Sequence, residues 1–303
     1  MKYAPIVIFA FNRLESLMRC VNSLLDNSEA ADSDLIVYVD GPRMNKEGEA
    51  GKVEAVRTYV KTIRGFKSLT YHFSDVNKKL GPSVIEGVTE VINQYGRTIV
   101  MEDDLVAGKN MLAFVNQGLN QYEHIPDVFS ICAYTNRITI PKGYSYDAYF
   151  CPRSSSWGWA TWKDRWDSVD WELKNWGEVK QHAKAFNRWG GSDCFGMLRG
   201  WHEKKNQSWA IRFCYSQFVQ DKLSLFPIIS KIDNRGFDGS GTNCKQWSRF
   251  KFDFDTSAEK FFNFPENTKV YTEMRKAFLS YHSIPIRIYS RLMYMYYDFK
   301  NFL

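Results

Sequence analysis

RTIVMEDD, residues 97–104, runs from a β-branched apolar stretch straight into three carboxylates. Arg97 to Met101 (RTIVM) predict a buried strand that runs straight into the carboxylates. Carboxylates placed directly after such a strand repel one another and are costly to desolvate, so something must compensate them. A divalent cation shared with a diphosphate does so, because Mg²⁺ and Mn²⁺ prefer hard oxygen ligands. The competing reading is a solvated acidic turn, or a cap for a helix over about residues 110–121. The position of the run at a strand end favours the metal.

Upstream, strand and helix patterns alternate. Residues 5–10 (PIVIFA) are a continuous apolar run, and Leu14, Leu17, Met18, Val21, Leu24 and Leu25 then fall on one helical stripe. DLIVYVD, residues 34–40, predicts a second strand that ends at Asp40 and the turn Gly41-Pro42. A helix over 53–63, a strand over 69–73 and a helix from Gly81-Pro82-Ser83 to residue 94 lead back to the acidic run. This order predicts an α/β fold: a Rossmann-like, doubly wound, mostly parallel sheet with helices on both faces. Ligands of such sheets bind outside the carboxyl ends of the strands, where Asp40 and Glu102-Asp103-Asp104 both fall. Asp40 suits ribose hydroxyls or a base edge, or else it only ends its strand. Phe11-Asn12-Arg13 offers amide and guanidinium donors there, or else an ordinary helix start.

Downstream the pattern is irregular. YFCPRSSSWGWATW, residues 149–162, is aromatic and rich in small residues. Helical patterns follow over 163–199 and 209–221, then a strand over 223–226. GFDGSG, residues 236–241, reads as a loop. Residues 285–302 predict a helix that either lies on an anionic membrane or packs on the domain.

The bulk composition narrows the function classes. The 303 residues are 16% aromatic with 10 Trp, which must fill a core or line a cavity. The net charge of +6 is spread along the chain, and there is no zinc-finger spacing, basic zipper or RNA-binding signature. A phosphate-bearing small ligand fits this better than nucleic acid. The 6 cysteines form no CxxC pair, as for reduced thiols. The apolar N-terminus meets Asn12 and Arg13 too soon for a signal peptide. The expected location is cytoplasmic, with peripheral contact at the inner face of the plasma membrane if the 285–302 helix binds lipid.

The succession strand–FNR, strand–VDGPR, helix from LGPS, strand–EDD, PRSSSWGWATW and SWAIRF…GFDGSGT resembles the GT-A glycosyltransferases over roughly residues 3–250. It is most similar to bacterial family-2-like sugar transferases related to the N-acetylglucosaminyltransferase I group, which carry an EDD motif. The resemblance implies a catalytic domain over residues 1–250 and a helical extension over 251–303. Residues 1–106 would hold the nucleotide sugar, and residues 107–250 the acceptor.

It further implies that Ala10, Phe11, Asn12 and Arg13 wrap the nucleotide, with Asp40 on its base or ribose. Lys79 and Gly81 would contact the donor. Glu102 and Asp103 would face the donor sugar or ribose, and Asp104 would coordinate Mn²⁺ or Mg²⁺. Trp157, Gly158 and Trp159 would shape the sugar and acceptor pocket; an aromatic packing motif is the alternative, and is the expectation for Trp162 and Trp166.

Two positions depart from the pattern. Gln207 stands where relatives carry an acidic base. Asn243, the second metal-site residue the resemblance implies, is a poorer ligand than the His that relatives carry there for metal or diphosphate. Asp238 is the favoured base, with Asp193, His202 and Glu203 as alternatives. The implied reaction moves a sugar, UDP-linked by resemblance, to a hydroxyl of a glycan or lipid-linked glycan with inversion, in surface polysaccharide synthesis. A catalytically silent binding protein on the same scaffold is the second reading. A sugar nucleotidyltransferase ranks lower, because FAFNRLES lacks its glycine-rich loop.

Overall fold

The structure is a computed structural model that describes residues 2–237 and 248–300. The first half alternates as expected: β1 (Ile6–Ala10), α1 (Leu14–Leu25), β2 (Asp34–Val39), α2 (Glu49–Thr62), β3 (Ser68–Phe73), α3 (Leu80–Tyr95) and β4 (Arg97–Glu102). β1 pairs in parallel with β2 and β4, and β2 with β3, so Ile8 lies beside Val37 and Met101. All four carboxyl ends therefore open on one edge.

Alternation along β1 divides the core. Ile6 and Ile8 join the helices α1 and α2 on one face, while Val7 and Phe9 join α3 on the other. The α1 stripe buries Leu17, Val21 and Leu24 as its spacing predicts, but Cys20 joins them while Met18 and Leu25, expected on the same stripe, are exposed. Gly96, at φ +79°, ends α3 in the left-handed conformation that a side chain would oppose.

The second half continues with β5 (Leu105–Ala107), α4 (Met111–Gln121), β6 (Val128–Cys132), β7 (Ala148–Cys151) and β8 (Trp159–Trp162). Next come α5 (Lys163–Asp167), α6 (Trp176–Gln181), α7 (Ala183–Gly190), α8 (Cys194–His202), α9 (Trp209–Val219), β9 (Leu223–Pro227) and β10 (Ile232–Asn234). The main sheet has 8 strands in the order β3-β2-β1-β4-β8-β6-β9-β7, and β10 pairs with β5 in a separate ribbon. β8 runs antiparallel to both β4 and β6, β6 is parallel to β9, and β9 is antiparallel to β7. WATW is thus a central strand. The helical stretch expected over 163–199 is broken, because the Asp170 carboxylate caps a turn at Glu172 and Leu173, and Gly191 takes φ +121°.

The aromatic excess goes mainly into packing. Trp159 lies between Trp209 and Trp166, at ring separations of 4.8 and 5.9 Å. Trp162 and Trp166 donate their indole N–H groups to the Leu119 carbonyl and the Thr89 hydroxyl, and both are core residues as expected.

Residues 251–300 include α10 (Thr272–Ser280) and α11 (Ile284–Lys300) and complete cores begun elsewhere. Phe262 and Phe264 meet Phe114 edge-on, and Met274 and Phe278 join Tyr149 and Phe226. Among the described residues no helix is long and apolar enough to cross a membrane, and the described cysteines are buried without disulfides.

Candidate functional site

The site begins where the parallel strands end. The Asp40 amide donates to the Ala10 carbonyl at 3.0 Å and the Asp103 amide to the Phe9 carbonyl at 3.1 Å, so the tips of β1, β2 and β4 are stitched together. The chain turns at Asp103-Asp104 into β5, where β10 clamps it: Arg235 donates its amide to the Asp104 carbonyl at 2.9 Å. Gly236 then lies against Asp104, since a Cβ there would stand 2.5 Å from the carboxylate. The loop leading out of β10 therefore arrives on the acidic run.

The run is shielded from bulk water: the Asp103 and Asp104 side chains are 5% and 14% exposed. Arg13, just before α1, donates one Nη2 to both carboxylates, at 2.9 Å for Asp104. Its Nη1 is buried without a hydrogen-bond partner. Burial works against the Arg13 charge, but Asp103 and Asp104 outweigh it and hold the guanidinium above its ordinary value. Burial, with the neighbouring carboxylates, pushes Glu102 up to about 8. Asp103 is pushed up to about 6 by burial and by Asp104, although Arg13 pulls the other way. The run is thus short of positive charge and holds one spare donor. Its hard oxygens suit a divalent cation, and the orphaned N–H suits a phosphate. Among the described residues, however, no three His, Cys, Asp or Glu side chains converge as a metal site.

Asp40 has work beyond the expected ribose contact. Its carboxylate accepts the amides of Gly41, Lys78 and Lys79 at 2.8–2.9 Å, which folds the loop after β3 over the end of β2. Gly41 makes this fit possible, because a Cβ would sit 2.5 Å from the Val76 carbonyl carbon. Lys79 is held at φ +68° with an exposed side chain, a backbone strain of the kind common beside ligands. Gly81 brings α3 against the chain before α9: its Cβ would lie 2.1 Å from the Gln207 carbonyl oxygen. Gln207 is therefore beside the Lys79–Gly81 segment, with its side-chain amide on the exposed surface. Gly81→Ala must displace one of these backbones, with an expected loss of about 1–3 kcal/mol. Thermal unfolding measures this, and an unchanged midpoint would show that the Gly81–Gln207 contact is loose.

Around β1, Phe11 lies under the Arg43 guanidinium at 5.5 Å, and Asn12 donates to Glu49 at 3.2 Å. Glu49, buried at the start of α2, also takes the Arg43 amide and guanidinium, which hold its carboxyl down to about 2. The sequence reading passed over Arg43 and Glu49. Their signal was weak, a Pro-Arg turn followed by an acidic residue at a helix start. Ala10 is buried, so its contribution is backbone.

Trp157 is half-buried and ringed by Tyr134, Phe237 and Phe250 at 4.6, 5.7 and 5.3 Å. Gly158, at φ +68°, packs so closely on Ile232 that a Cβ would stand 2.7 Å from it. Trp159 corrects the expectation: it is 1% exposed on β8, a central strand buried on both faces, and belongs to the core, not to a pocket wall.

The expected Asp238 and Asn243 lie outside the described residues. Of the alternative bases, Asp193 is buried against Arg153; burial works to raise it, but Arg153 and His282 together outweigh burial and hold it far below the carboxylate range. Such a group accepts a proton poorly. His202 stacks on Trp176 at 3.9 Å, and Glu203 is exposed and paired with Lys205. Asp233 on β10, half-buried and 2.6 Å from Arg235, is a carboxylate that the sequence reading missed. Cavities of 410 and 350 Å³ lie between α6 and α9 and below β3, and the acidic run lines neither.

No protein-family model and no curated protein matches the chain. Among solved structures it is similar to S. aureus TarS, with 12% identity, a TM-score of 0.32 and coverage of 51% of this chain and 25% of that one. The chain thus spans a quarter of TarS; for TarS 1-349 the values are 10%, 0.30, 50% and 42%. It is also similar to mouse xyloside xylosyltransferase 1 in its apo form, with 10% identity, a TM-score of 0.36 and coverage of 61% and 76%.

Proposed function

We propose that the chain is a metal-dependent glycosyltransferase that moves a sugar from a nucleoside diphosphate, UDP by resemblance, to a glycan hydroxyl. The observation that carries this is the shielded run Glu102-Asp103-Asp104, set at the tip of a parallel strand with Arg13 as its bonded cation and one guanidinium nitrogen, Nη1, left unpartnered. A bound nucleoside diphosphate with its metal supplies what the run lacks: a cation for the carboxylates and an anion for the spare donor. The motif order of residues 3–250 supports the same reading.

In this scheme Phe11, Asn12 and Arg43 hold the nucleoside, and the Asp40-ordered loop around Lys79 closes over the donor. Asp104, with Asp103, would hold Mn²⁺ or Mg²⁺ beside the donor diphosphate. That ion would neutralise the charge gathering on the departing diphosphate. Arg13 adds a fixed positive charge for the same purpose. Trp157 offers its aromatic face to a sugar. The acceptor proton goes to a carboxylate near the β10 loop, for which Asp238 and Asp233 are the candidates. The assignments to UDP, to inversion and to surface polysaccharide synthesis rest on the resemblance.

Thermal unfolding with UDP, UDP-sugars and Mn²⁺, singly and together, tests the proposal. At about 100 times the dissociation constant, a ligand of the folded state adds about 2.7 kcal/mol, or roughly 4 °C for a chain of this size. The expected shift needs nucleotide and Mn²⁺ together and vanishes with EDTA. Equal shifts with either alone, or none at all, reject the shared metal–diphosphate site.

Gln207 favours a second reading, a silent nucleotide- or glycan-binding protein on this scaffold. Saturable, Mn²⁺-dependent UDP binding without UDP release across a panel of sugars and acceptors would select it.

A further inference from the structure

The last helix presents the wrong chemistry to water. α11 is fixed to the body along one side: Ser290 is 1% exposed, and Arg287 donates Nη1 to the carbonyl and hydroxyl of Ser192 at 2.8 and 3.1 Å. His282, just before the helix, is buried, so the opposite face must point outward. That face carries Ile284, Ile288, Leu292, Met295 and Tyr296, each 55–68% exposed. The spacing of three to four residues places them on one continuous stripe. Arg291 is the charged residue among the exposed positions from 284 to 296. An apolar stripe held outward by anchored contacts on its other side marks an interaction surface.

We propose that this stripe docks the protein on the surface of an anionic lipid bilayer, with α11 lying in the interface. Charge selects the occupant. Arg291 is exposed beside the stripe and Lys276 is exposed on α10, within a chain of net charge +6. Basic residues beside an apolar helix face attract anionic headgroups while the aliphatic side chains enter the acyl boundary. Tyr296 suits that boundary, its ring apolar and its hydroxyl wet. A second copy fits less well: two-fold pairing about the middle of the stripe brings Arg291 near its own copy, a like-charge contact. Among the described residues α11, like every other helix, is not long and apolar enough to cross a membrane. The docking stands whether or not the transferase reading holds, and it has a geometric consequence. His282 touches Phe250, which touches Trp157, so a docked α11 puts the aromatic wall of the candidate site close to the lipid.

Cosedimentation with vesicles tests this, using pure phosphatidylcholine and phosphatidylcholine containing phosphatidylglycerol. The full chain is expected to bind the anionic vesicles, with apparent affinity falling at high salt. Ile288→Glu with Leu292→Glu is expected to reduce binding at least tenfold. Both side chains are exposed, so the variant should keep its circular dichroism and unfolding midpoint. Arg291→Glu should weaken binding further on the anionic vesicles alone. Absence of binding to anionic vesicles, or binding that the double variant leaves intact, overturns the proposal. So does a concentration-dependent dimer that the double variant abolishes, which would assign the stripe to a second copy.

Discussion

Asp104→Ala is expected to lower metal-dependent UDP-sugar turnover by at least about 100-fold, the usual scale for removing one group that stabilises developing charge. It should do so without weakening the fold. In the wild-type chain Asp104 helps raise Glu102 to about 8 and Asp103 to about 6, so it stands among carboxylates that repel it. Arg13 keeps Asp103 as a partner in the variant. The unfolding midpoint without ligand should therefore hold or rise, while the shift produced by UDP with Mn²⁺ disappears. Loss of that shift shows that the donor complex, not only the chemistry, has gone. Full turnover in the variant would remove Asp104 from the metal, and a lowered midpoint would make the run a structural element.

The half of the fold that positions this run was legible for a physical reason. β1 is apolar without a break, β2 and β4 carry buried apolar runs at Leu35–Val37 and Ile99–Met101, and α1 writes most of its buried stripe in local spacing. Each signal lies within a dozen residues. The second half depends on partners far along the chain. WATW looks like an aromatic patch until β4 and β6 are seen on either side of it, and only then does Trp159 belong to the core. β6 contains Ser130, whose hydroxyl reaches Ser224 on β9 at 2.8 Å, so a polar residue interrupts a strand that is buried throughout. At the site, the acidic run and Asp40 could be placed from strand ends alone. The turning of Arg13 onto the carboxylates, and of Asp40 onto its own loop, are side-chain choices that spacing does not record.

Asp193→Ala is expected to cost about 3–5 kcal/mol of stability, because removing one member of a buried ion pair leaves the other without compensation. Asp193 and Arg153 are 8% and 12% exposed and meet bidentately at 2.8 and 3.2 Å. Arg153 has little freedom to leave: its backbone sits at φ +68°, and its Nη1 also binds the Gly190 carbonyl. Arg249 and His282 approach the same carboxylate at 3.6 and 3.5 Å, so the pair joins β7, α7, α8 and the chain before α11. Replacing Arg153 by Met as well should restore much of the loss, which denaturant unfolding of the two single variants and the double variant will measure. The cluster also sets an acid limit. Burial, with Arg153 and Arg249 nearby, lowers His282 to about 4, although Asp193 pulls it upward. As pH falls from about 6.5 to about 4 the unfolded chain takes this proton first, so stability drops by up to about 3 kcal/mol. Asp193, held low, adds its own loss below the ordinary carboxylate range. Glu102 and Asp103 act in the opposite sense, since their raised values cost stability as pH rises. His282→Phe keeps the ring contacts and should flatten the wild-type slope between pH 6.5 and 4. A catalytic base would behave differently: Asp193→Ala would then be inactive but as stable as the parent, and that outcome would return Asp193 to the reaction.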